Sequence, residues 1–356
     1  MNNNKESIEY RKLEHLLVCN YCDVEYKKGT LFKDIELIHR GVSDCNLLDI
    51  DTSINLFGKK LDAPLIVAAI TGGHSKAEEI NKNIAKAVEE LNLGMGVGSQ
   101  RAGILNSNLW STYSVVSDYD IPFVMGNLGA VNFIKDGWDE EIIDTSVNMV
   151  DADAMAIHFN PLQEAIQPEG DIDFKGINIL KDIMLNYKKK YKNIPFIAKQ
   201  VGEGFSKEDA ITLKNLGFDG IDVGGSGGTS WAAVEYYRIK DEEFKNFSKK
   251  FLEWGIPTAA SVLLVKSVFP GTIIATGGIR SGMDMAKSIV IGAHCCGVAL
   301  PILRAALKSY EEVVKVLEKM IMELKTVMFL TGFDNIESLK KSKYIIKNEL
   351  KEWIKE

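Results

Sequence analysis

Cysteine is scarce in this chain of 356 residues, with only Cys19, Cys22, Cys45, Cys295 and Cys296. An odd, sparse set makes no disulfide framework, which excludes the small secreted scaffolds held together by bridges. Cys19-x-x-Cys22 has no second pair at matching spacing, so reduced thiols are expected rather than a zinc site or a redox pair. Positive charge is also in deficit: 42 Lys and Arg stand against 49 Asp and Glu, a net charge of −7. That argues against a nucleic-acid partner, whose phosphates need a broad basic surface. An anionic small ligand would have to be held by a few placed cations. No apolar run approaches a membrane-spanning helix, and the polar stretch Met1–Lys12 lacks a signal peptide's apolar core. No membrane partner and a cytoplasmic location are therefore expected. Linkers are missing too, since no repeat, low-complexity tract or Pro/Ser-rich stretch divides the chain.

What recurs instead is a short apolar run followed by an amphipathic segment. The runs are Ala63–Ala69, Gly94–Gly98, Ile121–Met125, Ala152–Ile157, Ile194–Lys199, Asp219–Val223, Thr272–Ala275 and Cys295–Ala299. They are rich in Val, Ile and Ala without polar alternation, as parallel strands covered on both faces must be. Between them, Ile80, Ile84, Ala87, Val88 and Leu91 share one helical face. Ser75 with Glu78, and Ser206 with Asp209, read as capping boxes. Eight strand-plus-helix units predict a (β/α)₈ TIM barrel, with a doubly wound open sheet as the alternative. Residues 1–60 are read as an N-terminal extension and 61–356 as the barrel with its C-terminal helices. Trp231 to Pro257 is a larger insertion, and Pro301 to Glu356 is expected to form long helices.

In such a barrel the site is built where strands end. Those positions are polar and glycine-rich: Thr71-Gly72-Gly73, Ser99-Gln100-Arg101, Asn127, His158 through Glu164, Lys199, Gly224 through Thr229, Gly277-Gly278-Ile279-Arg280 and Ala299-Leu300. Glycine turns after strands six and seven would let backbone approach a phosphate and offer it N–H donors. Lys199 closes an otherwise apolar strand. It either snorkels to solvent or faces an electron-rich cofactor edge, such as the N1–C2 carbonyl region of a reduced flavin. His158, Asn160, Gln163 and Glu164 offer one imidazole, two amides and one carboxylate. A single carboxylate beside amides suits Mg²⁺, which keeps its waters and shares phosphate oxygens; zinc wants more N and S ligands. Arg11, Lys12 and His15 on their own read as the solvated face of a charged helix.

Taken together, Arg11-Lys12-x-x-His15, His158-x-Asn160-x-x-Gln163-Glu164, Lys199-x-Val201-Gly202-x-Gly204, Gly227-Gly228-Thr229-Ser230-Trp231 and Gly277-Gly278-Ile279-Arg280-Ser281-Gly282 resemble type 2 isopentenyl diphosphate isomerase, the flavin-dependent form. The resemblance covers nearly the whole chain, and Cys19-x-x-Cys22 is no part of it. It implies FMN, reduced during turnover with NAD(P)H as reductant, together with Mg²⁺ and interconversion of isopentenyl and dimethylallyl diphosphates. It also implies a homo-oligomer, tetramer or octamer. By matching position, Ala69, Ile70, Thr71, Ser99, Asn127, Lys199, Ser226, Thr229, Gly277, Gly278, Ile279, Arg280, Ala299 and Leu300 would hold FMN. Arg11, Lys12, Ser99, Gln100, Arg101, His158, Asn160 and Gln163 would meet the substrate, and Glu164 the metal. This reverses the reading of Arg11 and Lys12, because a diphosphate needs cations that so acidic a protein otherwise lacks. Catalysis would fall to Gln163 and Lys199, the first orienting substrate or relaying protons and the second keeping the flavin reduced and near-anionic. The rival on a similar barrel is an FMN-dependent hydroxy-acid oxidase or dehydrogenase.

Overall fold

The computed structural model describes residues 2–355, with side chains from residue 8; Met1 and Glu356 lie outside the described residues. Eight parallel strands close into a barrel: β1 (Leu65–Val67), β2 (Gly94–Gly96), β3 (Phe123–Gly129), β4 (Ala154–Phe159), β5 (Phe196–Gln200), β6 (Gly220–Asp222), β7 (Thr272–Thr276) and β8 (Cys295–Val298). Each pairs with its sequence neighbour and β8 returns to β1. The strands are buried almost throughout, which explains their lack of polar alternation. The barrel expected from the sequence is the barrel observed, and an open sheet is excluded.

Strand limits differ from the expected runs in one useful way. β3 and β4 extend two or more residues further, so Asn127 and His158 are strand residues rather than loop residues, and Lys199 lies in β5 as expected, one residue before its end. The register places Asn127 beside Ala156, and His158 beside Lys199. Paired strand ends fix side chains more tightly than a loop can.

The helix Ser75–Glu90 exists as expected, but its cap is His74, whose Nδ1 accepts the Lys76 N–H at 3.2 Å. Glu78 instead accepts the Ser111 hydroxyl at 2.6 Å, so the expected Ser75–Glu78 box is absent. The Ser206–Asp209 box is present in both directions, at 3.0 and 2.8 Å. The C-terminal region is less helical than expected. After the long helix Tyr310–Thr331, residues Tyr344–Ile346 form a strand antiparallel to Ile35–Leu37. This pairing ties the chain's two ends together and carries no period-2 apolar signal, since Tyr344 and Ile345 are exposed.

The first sixty residues serve both ends of the barrel. Helix α1 (Asn2–Tyr21) lies at the mouth and packs on α2 (Trp231–Arg238). The hairpin Ile54–Leu56/Lys59–Leu61 plugs the opposite end. There Leu56 and Leu61 are buried against Ile66, Phe123 and Ile197, and Phe57 stacks on Phe123 at 6.2 Å. Among the described residues no helix is long and apolar enough to cross a membrane. Cys295 and Cys296 are fully buried in β8, and all five cysteines are free thiols.

Candidate active site

A single cavity in the barrel mouth gathers residues from α1 and all eight strand ends. Arg11, Lys12, Ala69, Ile70, Thr71, Ser99, Arg101, Asn127, His158, Asn160, Gln163, Glu164, Lys199, Thr229, Gly277, Gly278, Arg280, Ala299 and Leu300 all line it. Three sequence-named positions lie outside its wall. Gln100 is fully buried behind it, its Nε2 donating to Ser146 O at 2.7 Å and its Oε1 accepting the Asn127 N–H at 2.8 Å. It braces β3 and has no free amide to offer a substrate. Ile279 packs into the hydrophobic core. Ser226 is buried in the turn, with its backbone tied to Ile256 and Thr258.

The glycines after β6 and β7 are required by close approach of two turns. A Cβ on Gly277 would sit 2.1 Å from Gly225 O, and one on Gly228 would sit 2.4 Å from Gly278 N. Gly277 and Gly278 also hold φ of +109° and +76°, which side-chain-bearing residues rarely adopt. The result is a bare backbone cradle on one side of the cavity, the kind of surface that admits a phosphate closely. Below it, the Thr276 hydroxyl is buried with no partner among the described residues. Lys199 is buried, and its Nζ donates to Asp222 Oδ2 at 2.7 Å. This half of the cavity fits an FMN: backbone donors for its phosphate, and a cation and an unspent hydroxyl for its ring.

The opposite wall is cationic. Burial, then the charges of Arg11 and Arg101, pull the Lys12 ammonium down to about 8. Arg101 leans on Asp136 at 3.3 Å and Asp171 at 3.6 Å, and Arg11 on Glu169 at 3.6 Å. None of these contacts is short, so the cations remain available to a stronger anion. The Arg101 Nε–H and Asn160 Oδ1 are buried and unpartnered among the described residues. Burial, followed by Lys12, Lys199 and Arg101, drags the His158 imidazole to about 3, so it is neutral. Asn127 Nδ2 donates to Val97 O at 3.2 Å, which turns Asn127 Oδ1 toward His158 Nδ1 at 2.8 Å. The His158 proton therefore sits on Nδ1. Glu164 Oε1 accepts from Asn160 Nδ2 at 2.8 Å and Oε2 from the Asp171 N–H at 2.7 Å, while burial raises its carboxyl. Among the described residues no three of His, Cys, Asp and Glu cluster as a metal nest. A lone carboxylate is a donor set that fits Mg²⁺ shared with phosphate oxygens.

One part of the site was not read from the sequence. Glu235, fully buried on α2, accepts from Gln163 Nε2 at 3.1 Å and from His15 Nε2 at 2.9 Å. Its other oxygen accepts Arg238 Nη1 at 2.5 Å. Burial raises the Glu235 carboxyl, but His15 and Arg238 outweigh it and hold it near 2. His15, whose ring meets Trp231 edge-on at 5.1 Å, is itself lowered by burial, with Glu235 opposing that shift. The signal was a lone charge on the otherwise apolar run Trp231-Ala232-Ala233-Val234, inside a segment taken for an insertion. Trp231, Gln167, Gln200 and Cys19 also line the cavity.

Barrel, glycine cradle and buried lysine define an FMN-type (β/α)₈ enzyme. Residues 179–346 match the FMN-dependent dehydrogenase family. Solved structures share the fold. A variant flavocytochrome b2 with sulfite bound superposes with a TM-score of 0.69 at 16% identity, covering 98% of this chain and 87% of that one. A mandelate oxidase variant with an FMN monooxide adduct gives 0.60 at 16%, covering 96% of each. Sequence relatives are far nearer. The isopentenyl-diphosphate delta-isomerase of Methanococcus aeolicus is 74% identical over 352 residues, 98% of this chain and 99% of that one. That of Methanocaldococcus jannaschii is 68% identical over 354 residues, 99% of each. The chain belongs to the type 2 isopentenyl-diphosphate delta-isomerase family, and its reaction class is an intramolecular double-bond shift.

Proposed function

We propose that the chain interconverts isopentenyl and dimethylallyl diphosphates in the cytoplasm as a homo-oligomer, with FMN reduced by NAD(P)H and Mg²⁺ held by Glu164. The observation that carries this reading is the division of one cavity into a glycine-and-lysine half and a half with three cations and one carboxylate. Residues 1–60 would act as a substrate-closing segment, because α1 brings Arg11 and Lys12 to the cavity of the barrel.

The reaction adds a proton to one carbon of an isolated alkene and removes another two carbons away, with no net redox change. Bound reduced FMN would supply an electron-rich plane able to carry a proton and to stabilise positive charge. The chain's residues do the rest. Arg11 and Arg101 would exchange their long carboxylate contacts for the diphosphate, joined by Lys12, Asn160 and His158. Glu164 would share a Mg²⁺ with the same oxygens. That remote binding places the hydrocarbon, so the alkene is held without polar contacts of its own. Gln163 is pinned at both ends, its Nε2 by Glu235 and its Oε1 by Asn160 Nδ2 at 3.3 Å. An amide is too weak to act as the base, so Gln163 would orient the substrate or relay protons. Lys199 would favour the reduced, near-anionic flavin.

The hydroxy-acid oxidase alternative needs an imidazole that holds a proton near neutrality. With cations around it, His158 at about 3 is a poor candidate. Reductant stoichiometry tests the choice. An isomerase consumes about one NAD(P)H per FMN to prime it and none with turnover, whereas consumption proportional to product identifies an oxidoreductase.

A further inference from the structure

Lys199 is the last but one residue of β5 and Asp222 ends β6, and the parallel register sets the two directly beside each other. The preceding pairs in that register are apolar, Ile197 with Gly220 and Ala198 with Ile221. A buried ion pair gives a barrel no more stability than an apolar pair of similar volume, so its presence at the strand ends calls for another reason. Asp222 is fully buried. One oxygen accepts Lys199 Nζ at 2.7 Å, and the other accepts the Gly224 N–H at 3.2 Å. Lys199 and Gly224 both line the cavity, whereas Asp222 stands behind them. One carboxylate therefore grips both the cation of the flavin half and the first residue of the glycine turn.

We propose that Asp222 is a positioning residue for the isomerisation. It fixes the Lys199 ammonium and the start of the 224–229 turn as one unit. Its negative charge also offsets that of Lys199, which sets how much positive charge a flavin in this half of the cavity meets. The proposal rests on the FMN-dependent reading above. Losing the carboxylate charge while keeping its shape leaves Lys199 as an uncompensated cation, a change that favours the electron-rich form of a bound flavin.

The test compares wild type, Asp222→Asn, Lys199→Met and the double variant, each loaded with FMN. In Asp222→Asn the reduction potential of bound FMN moves upward. The same variant loses about tenfold or more in kcat, with KM for isopentenyl diphosphate changed less than about threefold. In the Lys199→Met background, replacing Asp222 by Asn moves the potential clearly less, because no ammonium is left to be misplaced, a coupling that a merely structural carboxylate would not produce. Should Asp222→Asn fail to fold, two double variants carry the test. Lys199→Met with Asp222→Asn keeps an acceptor for Gly224, and Lys199→Met with Asp222→Ala loses it and about tenfold in FMN affinity; equal affinities overturn the proposal. A wild-type chain that takes up no FMN refutes the functional reading beneath. A wild-type holoenzyme that isomerises, with Asp222→Asn matching its potential and kcat, refutes this proposal alone.

Discussion

Gln163 and Glu235, 72 residues apart in the chain, are joined by a 3.1 Å hydrogen bond from amide to carboxylate. A carboxylate can only accept, so it decides which end of the Gln163 amide faces it. The oxygen of that amide is left toward Asn160 and the cavity. Because Arg238 and His15 hold Glu235 ionised near 2, this orientation persists across the physiological pH range. Glu235→Gln makes either amide orientation acceptable. It should lower kcat by roughly 10²-fold, the scale of a lost orienting partner, while the flavin absorbance of the purified protein stays that of wild type. Unchanged steady-state kinetics would remove Glu235 from the mechanism.

Lys12 binds a proton less tightly in the free protein than an exposed lysine does, because burial, Arg11 and Arg101 all oppose its charge. A diphosphate reverses that balance. Binding therefore takes up a proton once the pH passes about 8, and affinity falls as pH rises further. Titration with inorganic pyrophosphate between pH 7 and 9.5 should show affinity flat at first and then declining, by about tenfold per pH unit at the steepest. In Lys12→Ala the affinity is lower throughout and the decline disappears; a decline retained by that variant would assign the proton to another group.

Glu164→Gln keeps the side chain's shape but removes the charge offered to the metal and leaves one acceptor where Asn160 Nδ2 and the Asp171 N–H now find two. The Mg²⁺ concentration for half-maximal rate should rise about tenfold or more, with FMN still bound. A variant with the same metal requirement would separate Glu164 from Mg²⁺.

Glu203 is buried, and both its oxygens lack a hydrogen-bond partner among the described residues. Burial pushes its carboxyl up to about 7. Between the ordinary value of 4.5 and about 7 the folded chain binds the extra proton and the unfolded chain does not. Stability at this group is therefore full below 4.5, falls as pH rises toward 7 and is flat above. Glu203→Gln should remove the slope and gain up to roughly 3 kcal/mol at pH 8, read from chemical denaturation at pH 5, 6, 7 and 8. A parallel slope in the variant would locate the titration elsewhere.

Gly228→Ala places a methyl 2.4 Å from the Gly278 nitrogen, and the contact is backbone that cannot turn away. The two turns must separate, and FMN affinity should fall about tenfold or more. Fluorescence titration of the unliganded protein checks this, and wild-type affinity would mean that the cradle is not where phosphate docks.

The barrel was legible because parallel strands covered on both faces write uninterrupted Val, Ile and Ala into the chain. The cavity residues were legible because the fold puts strand ends at the mouth, so Arg101, His158 and Lys199 announced themselves as polar groups closing apolar runs. Glu235 was missed for the converse reason. Its hydrogen-bond partners Gln163 and His15 are remote in sequence and are brought to it only by tertiary packing. Gln100 misled because polarity beside Ser99 and Arg101 looks the same whether a side chain faces ligand or braces a neighbouring strand. The pairing of Ile35–Leu37 with Tyr344–Ile346 could not be read at all, since two short half-exposed segments more than three hundred residues apart share no local pattern.

Solvent labelling reaches the central claim most directly. Purified chain carrying FMN is given reductant, Mg²⁺ and isopentenyl diphosphate in D₂O, and both isomers are followed by mass spectrometry. The account predicts deuterium in the recovered isopentenyl and dimethylallyl diphosphates, with no reductant used beyond priming. A flavin-loaded, reduced protein that leaves the substrate unlabelled and unconverted would contradict it.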